Sequence, residues 1–190
     1  MRRRSKKTAM DEYTSGCFSL WLRSRRFNQA QPYLQGRILD YGCGVGALAG
    51  FCRPNVYVGM DRDEVLIDMA RKNHPGYCFV MDVPETERFD TIVSLAVLEH
   101  VEHPASLLKK FKEMLNPMGH IILTVPHPRF EWIHKTGSKM GLFSQYAGQD
   151  HKQRIDYNHM QNLAKATGLA IVKYSRFLFG ANQLFILTKP

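Results

Sequence analysis

The sequence predicts an α/β protein built on a doubly wound, mostly parallel sheet, and three observations support this fold class. Short apolar runs typical of buried parallel strands alternate with helical patterns between residues 38 and 125. Acidic residues lie at the ends of the first three runs, where open α/β sheets bind ligands. The last two runs have no room for a helix between them, so we expect a hairpin that gives the sheet one antiparallel edge strand.

The elements can be assigned in order along a chain of 190 residues, a length typical of one domain. Seven strands are expected, at residues 38–41, 56–60, 77–81, 89–94, 120–125, 170–178 and 183–188. Helices are expected at residues 15–28, from near Gly46 to Phe51, from Asp63 through Ala70, at 104–115, and from Asp156 to Gly168. The four residues Asn116 to Gly119 are predicted to form a turn before the fifth strand.

Composition and charge restrict the classes of protein. The chain is 44% hydrophobic and 11% aromatic, as globular proteins are, and no apolar run approaches the ~20 residues of a membrane span. The four cysteines form no C-x-x-C pair, which favours free thiols in a reducing cytoplasm over a disulfide framework or a metal site. Residues 1–36 carry +6 of the net charge of +9, in the N-terminal tail 1–12 and on Arg23, Arg25 and Arg26. This region is either a mobile, solvated tail followed by a polar helix face or a contact for nucleic acid or an anionic membrane.

Three glycines spaced two apart follow the first strand and form the pattern on which the functional interpretation depends. Gly42, Gly44 and Gly46 can adopt positive φ and allow a ligand to approach the backbone closely. Their spacing is G-x-G-x-G, whereas the fingerprint for a dinucleotide pyrophosphate is G-x-G-x-x-G. The pattern therefore predicts a nucleoside site and weakens the case for a pyrophosphate.

Acidic residues accompany this turn at the same edge of the predicted sheet. Asp40 lies in the first strand, and Asp61 and Asp82 end the second and third. Asp61 is 19 residues beyond Gly42, the spacing at which a carboxylate accepts hydrogen bonds from ribose hydroxyls. An acidic rim with no basic residue nearby suits a cationic nucleoside, and S-adenosylmethionine combines adenine, ribose, an ammonium group and a sulfonium.

Three stretches resemble motifs of the class I S-adenosylmethionine-dependent methyltransferases. Residues 39–46 are similar to motif I, residues 89–101 to the motif of the fourth strand, and residues 115–120 to the turn before the fifth, with Met118 where a glycine is usual. The resemblance spans about residues 33–189 and is nearest to the small-molecule group (methyltransferase type 11/12) that includes ubiquinone-biosynthesis O-methyltransferases. It implies a Rossmann-like, seven-stranded sheet in the order 3-2-1-4-5-7-6. It also implies methyl transfer to a small-molecule, sugar or lipid-linked acceptor.

The resemblance implies cofactor-binding roles for residues at the ends of the first four strands. These residues are Asp40, Gly42, Gly44, Gly46, Asp61, Arg62, Asp82, Val83 and Leu95. Asp40 would orient the methionine ammonium through water, and Asp61 would hold the ribose with Arg62 beside the adenine. Asp82 would accept from the adenine amino group next to Val83, the three glycines would meet the methionine and ribose, and Leu95 would line the methionine end.

The acceptor side is less well defined. His100, after the fourth strand, is either a general base or a residue that fixes its loop, and Glu99 is expected to support the same loop. His127 and His134 are candidates to touch the acceptor. The stretch 126–153 is long for a connection in a compact domain, so we expect an acceptor-side lid there.

Two other function classes are compatible with parts of the sequence. The basic N-terminus would suit an RNA or protein methyltransferase, although no aromatic residues are interleaved with the basic cluster and no nucleic-acid module is evident. A non-catalytic domain that only binds the cofactor would carry the same glycine turn. A nicotinamide-dependent dehydrogenase is disfavoured by the glycine spacing and by the motifs at the fourth and fifth strands.

Overall fold

A computed structural model describes residues 17–130 and 153–190, with the backbone alone for residues 17–20 and 130. The strands are β1 (Ile38–Tyr41), β2 (Tyr57–Met60), β3 (Cys78–Val80), β4 (Phe89–Leu95), β5 (Leu115–Pro126), β6 (Ala170–Phe177) and β7 (Asn182–Thr188). The α-helices are α1 (Cys17–Ala30), α2 (Glu64–Asn73), α3 (Pro104–Met114) and α4 (Tyr157–Thr167). Residues 131–152, which make up most of the predicted lid (126–153) and include His134, lie outside the described residues, and so do residues 1–16, which include the predicted tail (1–12).

The strands form one sheet in the order β3-β2-β1-β4-β5-β7-β6, so the predicted α/β fold class and strand order are confirmed. Strands β1 to β5 pair in parallel, and β7 pairs antiparallel with both β5 and β6. The strand that reverses direction is therefore second from the edge, and β6 is the edge strand of the antiparallel pair. This order brings the carboxyl ends of β1, β2 and β4 side by side.

Two apolar cores cover the faces of the sheet. On one face α3 and α4 pack their buried stripes, which include Phe111 and Met160, against the central strands. On the other face Ala30 of α1 and Ile67 of α2 belong to a core with residues of β1, β4, β5 and β7. Because both faces are covered, the central strands read as continuous apolar runs.

Residues at the helix ends behave as the sequence predicts. Asp63 caps α2 by accepting from the amides of Val65 and Leu66. Asp156 caps α4 by accepting from the amide of His159. None of the helices in the described part of the chain is long and apolar enough to span a membrane.

Two predicted elements differ from the structure. The prediction of an α-helix after Gly46 is wrong. The chain there forms the short 3-10 helices Ala49–Phe51 and Pro54–Val56. The ten residues 47–56 contain a glycine and a proline, and they must also return the chain to the start of β2. The predicted turn before the fifth strand is instead an irregularity within β5, where the register against β4 shifts and Met118 is 90% exposed.

Candidate cofactor and acceptor site

A cleft of about 630 Å³ opens at the carboxyl ends of β1, β2 and β4. Its walls come from the glycine turn after β1, the residues that follow β2, the loop after β4 and the first two turns of α3. Ligand pockets in proteins are commonly about 300–1,000 Å³, so the volume suits a nucleoside-sized ligand. Of the nine predicted cofactor residues, the cleft is lined by Gly42, Asp61 and Arg62.

The glycine turn requires its glycines for both conformation and space. Gly42, Gly44 and Gly46 all adopt positive φ, at 82°, 56° and 79°. A Cβ on Gly42 would collide with the side chain of Val97, which belongs to the loop after β4. The amides of Gly42 and Cys43 both donate to the carbonyl of Met60, at 2.8 and 3.0 Å, so the turn is fixed to the end of β2.

Asp61 completes this attachment with its side chain. One carboxylate oxygen accepts from the Gly44 amide at 2.9 Å, and the other accepts from the Asp63 amide at 3.0 Å. Each carboxylate oxygen has two lone pairs, so both can still accept from a ligand hydroxyl. Asp61 thus lies in the cleft wall, positioned by two backbone amides, with the capacity to bind a ribose.

Asp40 lies behind the turn and does not line the cleft. Its side chain is buried and accepts from the Tyr57 hydroxyl at 2.7 Å. Burial raises the pKa of Asp40 to about 7; the hydrogen bond from Tyr57 opposes this shift, and the nearby charge of Asp61 adds to it. Gly59, opposite Asp40 in the β1–β2 register, leaves room chiefly for the Phe79 ring, which a Cβ there would meet at 2.6 Å, and also for the Tyr57 hydroxyl at 3.0 Å.

The residues predicted at the adenine end have other partners in the structure. Asp82 is largely exposed; its carboxylate accepts from the Val83 amide at 2.9 Å and lies 3.5 Å from the Lys110 ammonium. Val83 is buried in the first core. The expectation that no basic residue lies near the acidic rim is wrong, because Lys110 and Arg62 both line the cleft. Lys110 is on α3, remote in sequence, so sequence proximity could not reveal it.

The loop after β4 forms the opposite wall of the cleft. Ala96 adopts a φ of 57° and donates its amide to the Thr124 carbonyl at 2.8 Å. Leu95 is half-buried against the second core, one residue before the cleft. His100 is exposed and lines the cleft, so the structure brings it together with Gly42 and Asp61.

Sequence reasoning missed a polar link between α1 and this edge of the sheet. Arg26 donates from Nε to the Asn182 side-chain oxygen at 3.1 Å, and its charge interacts with that of buried Glu99. Burial lowers the pKa of Arg26, and Glu99 opposes that shift. The sequence signal that could have indicated this link is the i, i+4 spacing of Arg26 from buried Leu22, which places both residues on one face of the helix.

His127 lies at the end of β5 and does not line the cleft with His100. Its amide donates to the Ala181 carbonyl at 2.8 Å, and its Nδ1 accepts from the Arg129 amide at 3.2 Å. Its pKa lies below the usual value because of burial and then because of Arg176 and Arg129, with Asp156 acting in the opposite direction. A neutral imidazole that accepts at Nδ1 carries its proton on Nε2, so this ring can donate a hydrogen bond from Nε2.

The residues present fit S-adenosylmethionine. Gly42 lines the cleft with bare backbone because a Cβ there would collide with Val97, and the Asp61 carboxylate lies in the cleft wall as a hydroxyl acceptor. The basic side chains of the cleft belong to Arg62 and Lys110, outside the glycine turn, and Lys110 is near Asp82. The turn itself therefore suits the uncharged ribose and the cationic methionine end.

Known proteins of related sequence carry the same kind of domain. A family model described as a methyltransferase domain matches residues 13–174. The chain is 29% identical over 163 residues to a ubiquinone biosynthesis O-methyltransferase of Coxiella burnetii (strain Dugway 5J108-111), which covers 77% of this chain and 69% of that protein. In a second strain of that species the match spans 50% of the enzyme of the same name.

Solved structures share the fold at low sequence identity. A chain of the complex between the Haloferax volcanii Trm112 methyltransferase activator and a methyltransferase gives a TM-score of 0.76 at 13% identity, covering 100% of this chain and 99% of that one. The magnesium protoporphyrin IX methyltransferase of Synechocystis PCC 6803 with bound SAM gives a TM-score of 0.65 at 13% identity, covering 100% of both chains. These likenesses establish a common architecture.

Replacing Asp61 by alanine should weaken S-adenosylmethionine binding at least tenfold, about 1.4 kcal/mol. The change removes the ribose acceptor and leaves the Gly44 amide without its partner. Titration calorimetry measures the loss. Asp61→Asn, which keeps one carbonyl oxygen as an acceptor, should lose less, and the exposed Glu64→Gln on α2 is the matched control. Unchanged affinity in Asp61→Ala would refute the ribose assignment.

Proposed function

The chain belongs to the methyltransferase domain family and is an enzyme that uses S-adenosylmethionine, and we propose that its methyl acceptor is a small molecule. The observation that carries the proposal is the cleft built from the glycine turn and Asp61, which opens beside the loop after β4. The relatives that are enzymes of ubiquinone biosynthesis support an acceptor of this class.

The cleft divides into two ends in this proposal. Asp61 binds the ribose hydroxyls, and Arg62 and Leu107 enclose the adenine. Ala96, next to Leu95, faces the methionine end from the β4 side. Asp40, behind the turn, attracts the methionine ammonium through water, and Tyr57 holds its carboxylate in place.

Catalysis in this proposal depends chiefly on alignment and exclusion of water. When bound, S-adenosylmethionine supplies an electrophilic methyl carbon on a sulfonium, which an acceptor atom attacks in line. The protein needs no covalent step of its own, and proximity can contribute about 7–11 kcal/mol to such a reaction. A base is needed only if the acceptor loses a proton during attack, and His100 in the cleft wall is placed for that role.

An RNA or protein acceptor is the second candidate, on the strength of the basic N-terminal sequence and of a structural neighbour whose complex contains a methyltransferase activator. A macromolecular acceptor would depend on surface charge outside the cleft. Its affinity would therefore fall with rising salt, whereas that of a small acceptor enclosed in the cleft would change little.

The acceptor class is tested by supplying the enzyme with S-adenosylmethionine labelled in its methyl group and with separate small-molecule, RNA and protein fractions of a cell extract. We expect the label in the small-molecule fraction, with little dependence on salt and no change when residues 1–9 are removed. Label mainly in RNA or protein would overturn the proposal. Recovery of label in none of the fractions would likewise contradict the proposal.

Binding of S-adenosylhomocysteine should release protons near neutral pH. Asp40 has a pKa of about 7, so it is partly protonated there. An ammonium group nearby favours the carboxylate and lowers that pKa, so a proton leaves on binding and affinity falls as pH falls below about 7. Calorimetry at pH 6.5 in buffers of different ionisation enthalpy measures the release. It should vanish in Asp40→Asn and persist in Asp82→Asn.

His100→Ala should lower kcat about 100-fold or more if the acceptor is deprotonated during attack, because a positioned base contributes about 10²–10⁴-fold. S-adenosylhomocysteine affinity should change less than threefold. His127→Ala should cost less than tenfold, since its Nδ1 already accepts from the Arg129 amide and its Nε2 carries the proton. Steady-state kinetics on the acceptor identified above provides both values. A larger loss in His127→Ala would reverse the assignment.

A further inference from the structure

The tip of the β6–β7 hairpin has a backbone that its own residues disfavour. Leu178, Phe179 and Gly180 adopt positive φ in succession, at 55°, 54° and 88°. For residues other than glycine the left-handed conformation costs roughly 1–2 kcal/mol each, and asparagine or glycine is the usual choice in such turns. Leucine and phenylalanine at these positions therefore lower the stability of the folded state. Such local strain indicates that one of the two side chains has a function.

Phe179 is that side chain. It is 100% exposed, although phenylalanine loses free energy by contact with water. The tip is also held in shape: the Arg176 guanidinium donates from Nε and Nη2 to the Gly180 carbonyl at 3.1 and 2.8 Å. The hairpin thus presents an aromatic ring at its apex on a braced support.

The tip lies beyond the same edge of the sheet as the cofactor cleft. Asn182, the first residue of β7, pairs with Pro126, the last residue of β5, and the Ala181 carbonyl accepts from the His127 amide. The carboxyl end of β5 and the glycine turn after β1 lie at one edge because these strands run parallel. Phe179 therefore lies beyond the carboxyl ends of the parallel strands, where the cofactor cleft also opens.

Helix α1 adds a second aromatic residue at this edge. Arg26 bonds to Asn182, and α1 continues from there toward Tyr33, whose carbonyl contacts His120 near the opposite edge of the sheet. Trp21 is five residues before Arg26, so it lies about 7 Å from Arg26 along the axis of α1, in the direction away from Tyr33. It is 39% exposed, and the guanidinium of Arg25 lies 5.4 Å from its ring centroid.

Among the residues that the structure describes, the exposed charged side chains near the tip include two arginines and one aspartate. Arg176 braces the tip and Arg129 bonds through its amide to His127, and both arginines are exposed. Both lower the pKa of His127, and Asp156 opposes them. Arg25 is exposed beside Trp21. Trp21 is an amphipathic ring and Phe179 is a wholly apolar one, and such rings with arginines nearby are typical of the interface between an anionic membrane and water.

We propose that this edge of the enzyme, with Phe179 and Trp21 as apolar anchors and Arg25, Arg129 and Arg176 as cations, docks on an anionic lipid bilayer. The acceptor side of the site would then face the membrane. A single-stranded RNA could also use arginines and aromatic rings, but such proteins follow the strand with a charged groove, whereas Phe179 stands at the apex of a convex hairpin. The docking is independent of methyl transfer and would hold whatever the acceptor.

Flotation of the full chain with vesicles tests the proposal. We expect binding to mixed phosphatidylglycerol and phosphatidylcholine vesicles that weakens with salt, and much weaker binding to phosphatidylcholine alone. Phe179→Asn should lower the binding about fivefold or more and raise the thermal midpoint, because asparagine tolerates the left-handed conformation. Met118→Ser is the control, since Met118 is 90% exposed at the opposite edge of the sheet.

Each other result contradicts the proposal. Wild-type protein that fails to float with anionic vesicles, or Phe179→Asn protein that floats equally well, would overturn it. A dimer of the wild-type chain that sedimentation shows to be lost in Phe179→Asn would also overturn the proposal, because the ring would then join two copies of the chain. Tight binding of a labelled oligouridine that competes with the vesicles and is lost in Phe179→Asn would assign the surface to RNA. Calorimetry with S-adenosylhomocysteine on the same samples separates these outcomes from failure of the cofactor site.

Discussion

The hydrogen bonds between the glycine turn and the end of β2 are the constraint on which the site depends. Three residues at positive φ form a segment with a high conformational entropy when unfolded and little preference of its own for one shape. The Met60 carbonyl and the Asp61 carboxylate hold this segment through three backbone amides. Since β2 is itself paired in register with β1, the sheet, and not the loop, sets the position of the cleft.

Two features near the carboxyl ends of the parallel strands lower the stability of the folded state. Asp40 is buried and accepts a hydrogen bond from the Tyr57 hydroxyl, and its raised pKa means that keeping it ionised at neutral pH opposes folding. Leu178 and Phe179 hold a backbone conformation that better suits glycine or asparagine. Departures from optimal stability are common where a protein binds something, and both of these lie at the carboxyl end of the parallel strands.

The parts of the fold that follow from short-range chemistry could be predicted, and those that depend on distant contacts could not. Strand runs, the caps at Asp63 and Asp156 and the order of the sheet depend on local patterns or on a family resemblance carried by local motifs. Placement of Gly42 and Asp61 at one cleft followed because parallel strands end at one edge. By contrast, Lys110 reaches the cleft from α3, and Arg26 meets Asn182 across 156 positions of the chain. No pattern of neighbouring residues in the sequence indicates these long-range contacts.

The short connection after the glycine turn has a consequence for ligand choice. In a dinucleotide site an α-helix follows the turn, and its aligned peptide dipoles place a partial positive charge where the pyrophosphate binds. Here the segment from Gly46 to Tyr57 forms two single 3-10 turns, too short to sum their dipoles in this way. The carboxyl groups of Asp40 and Asp61 lie beside the turn, whereas the basic side chains of the cleft, Arg62 and Lys110, belong to other segments. Adenine nucleotides and S-adenosylmethionine share one nucleoside, and a turn with no long helix behind it lacks the partial positive charge that favours the phosphates.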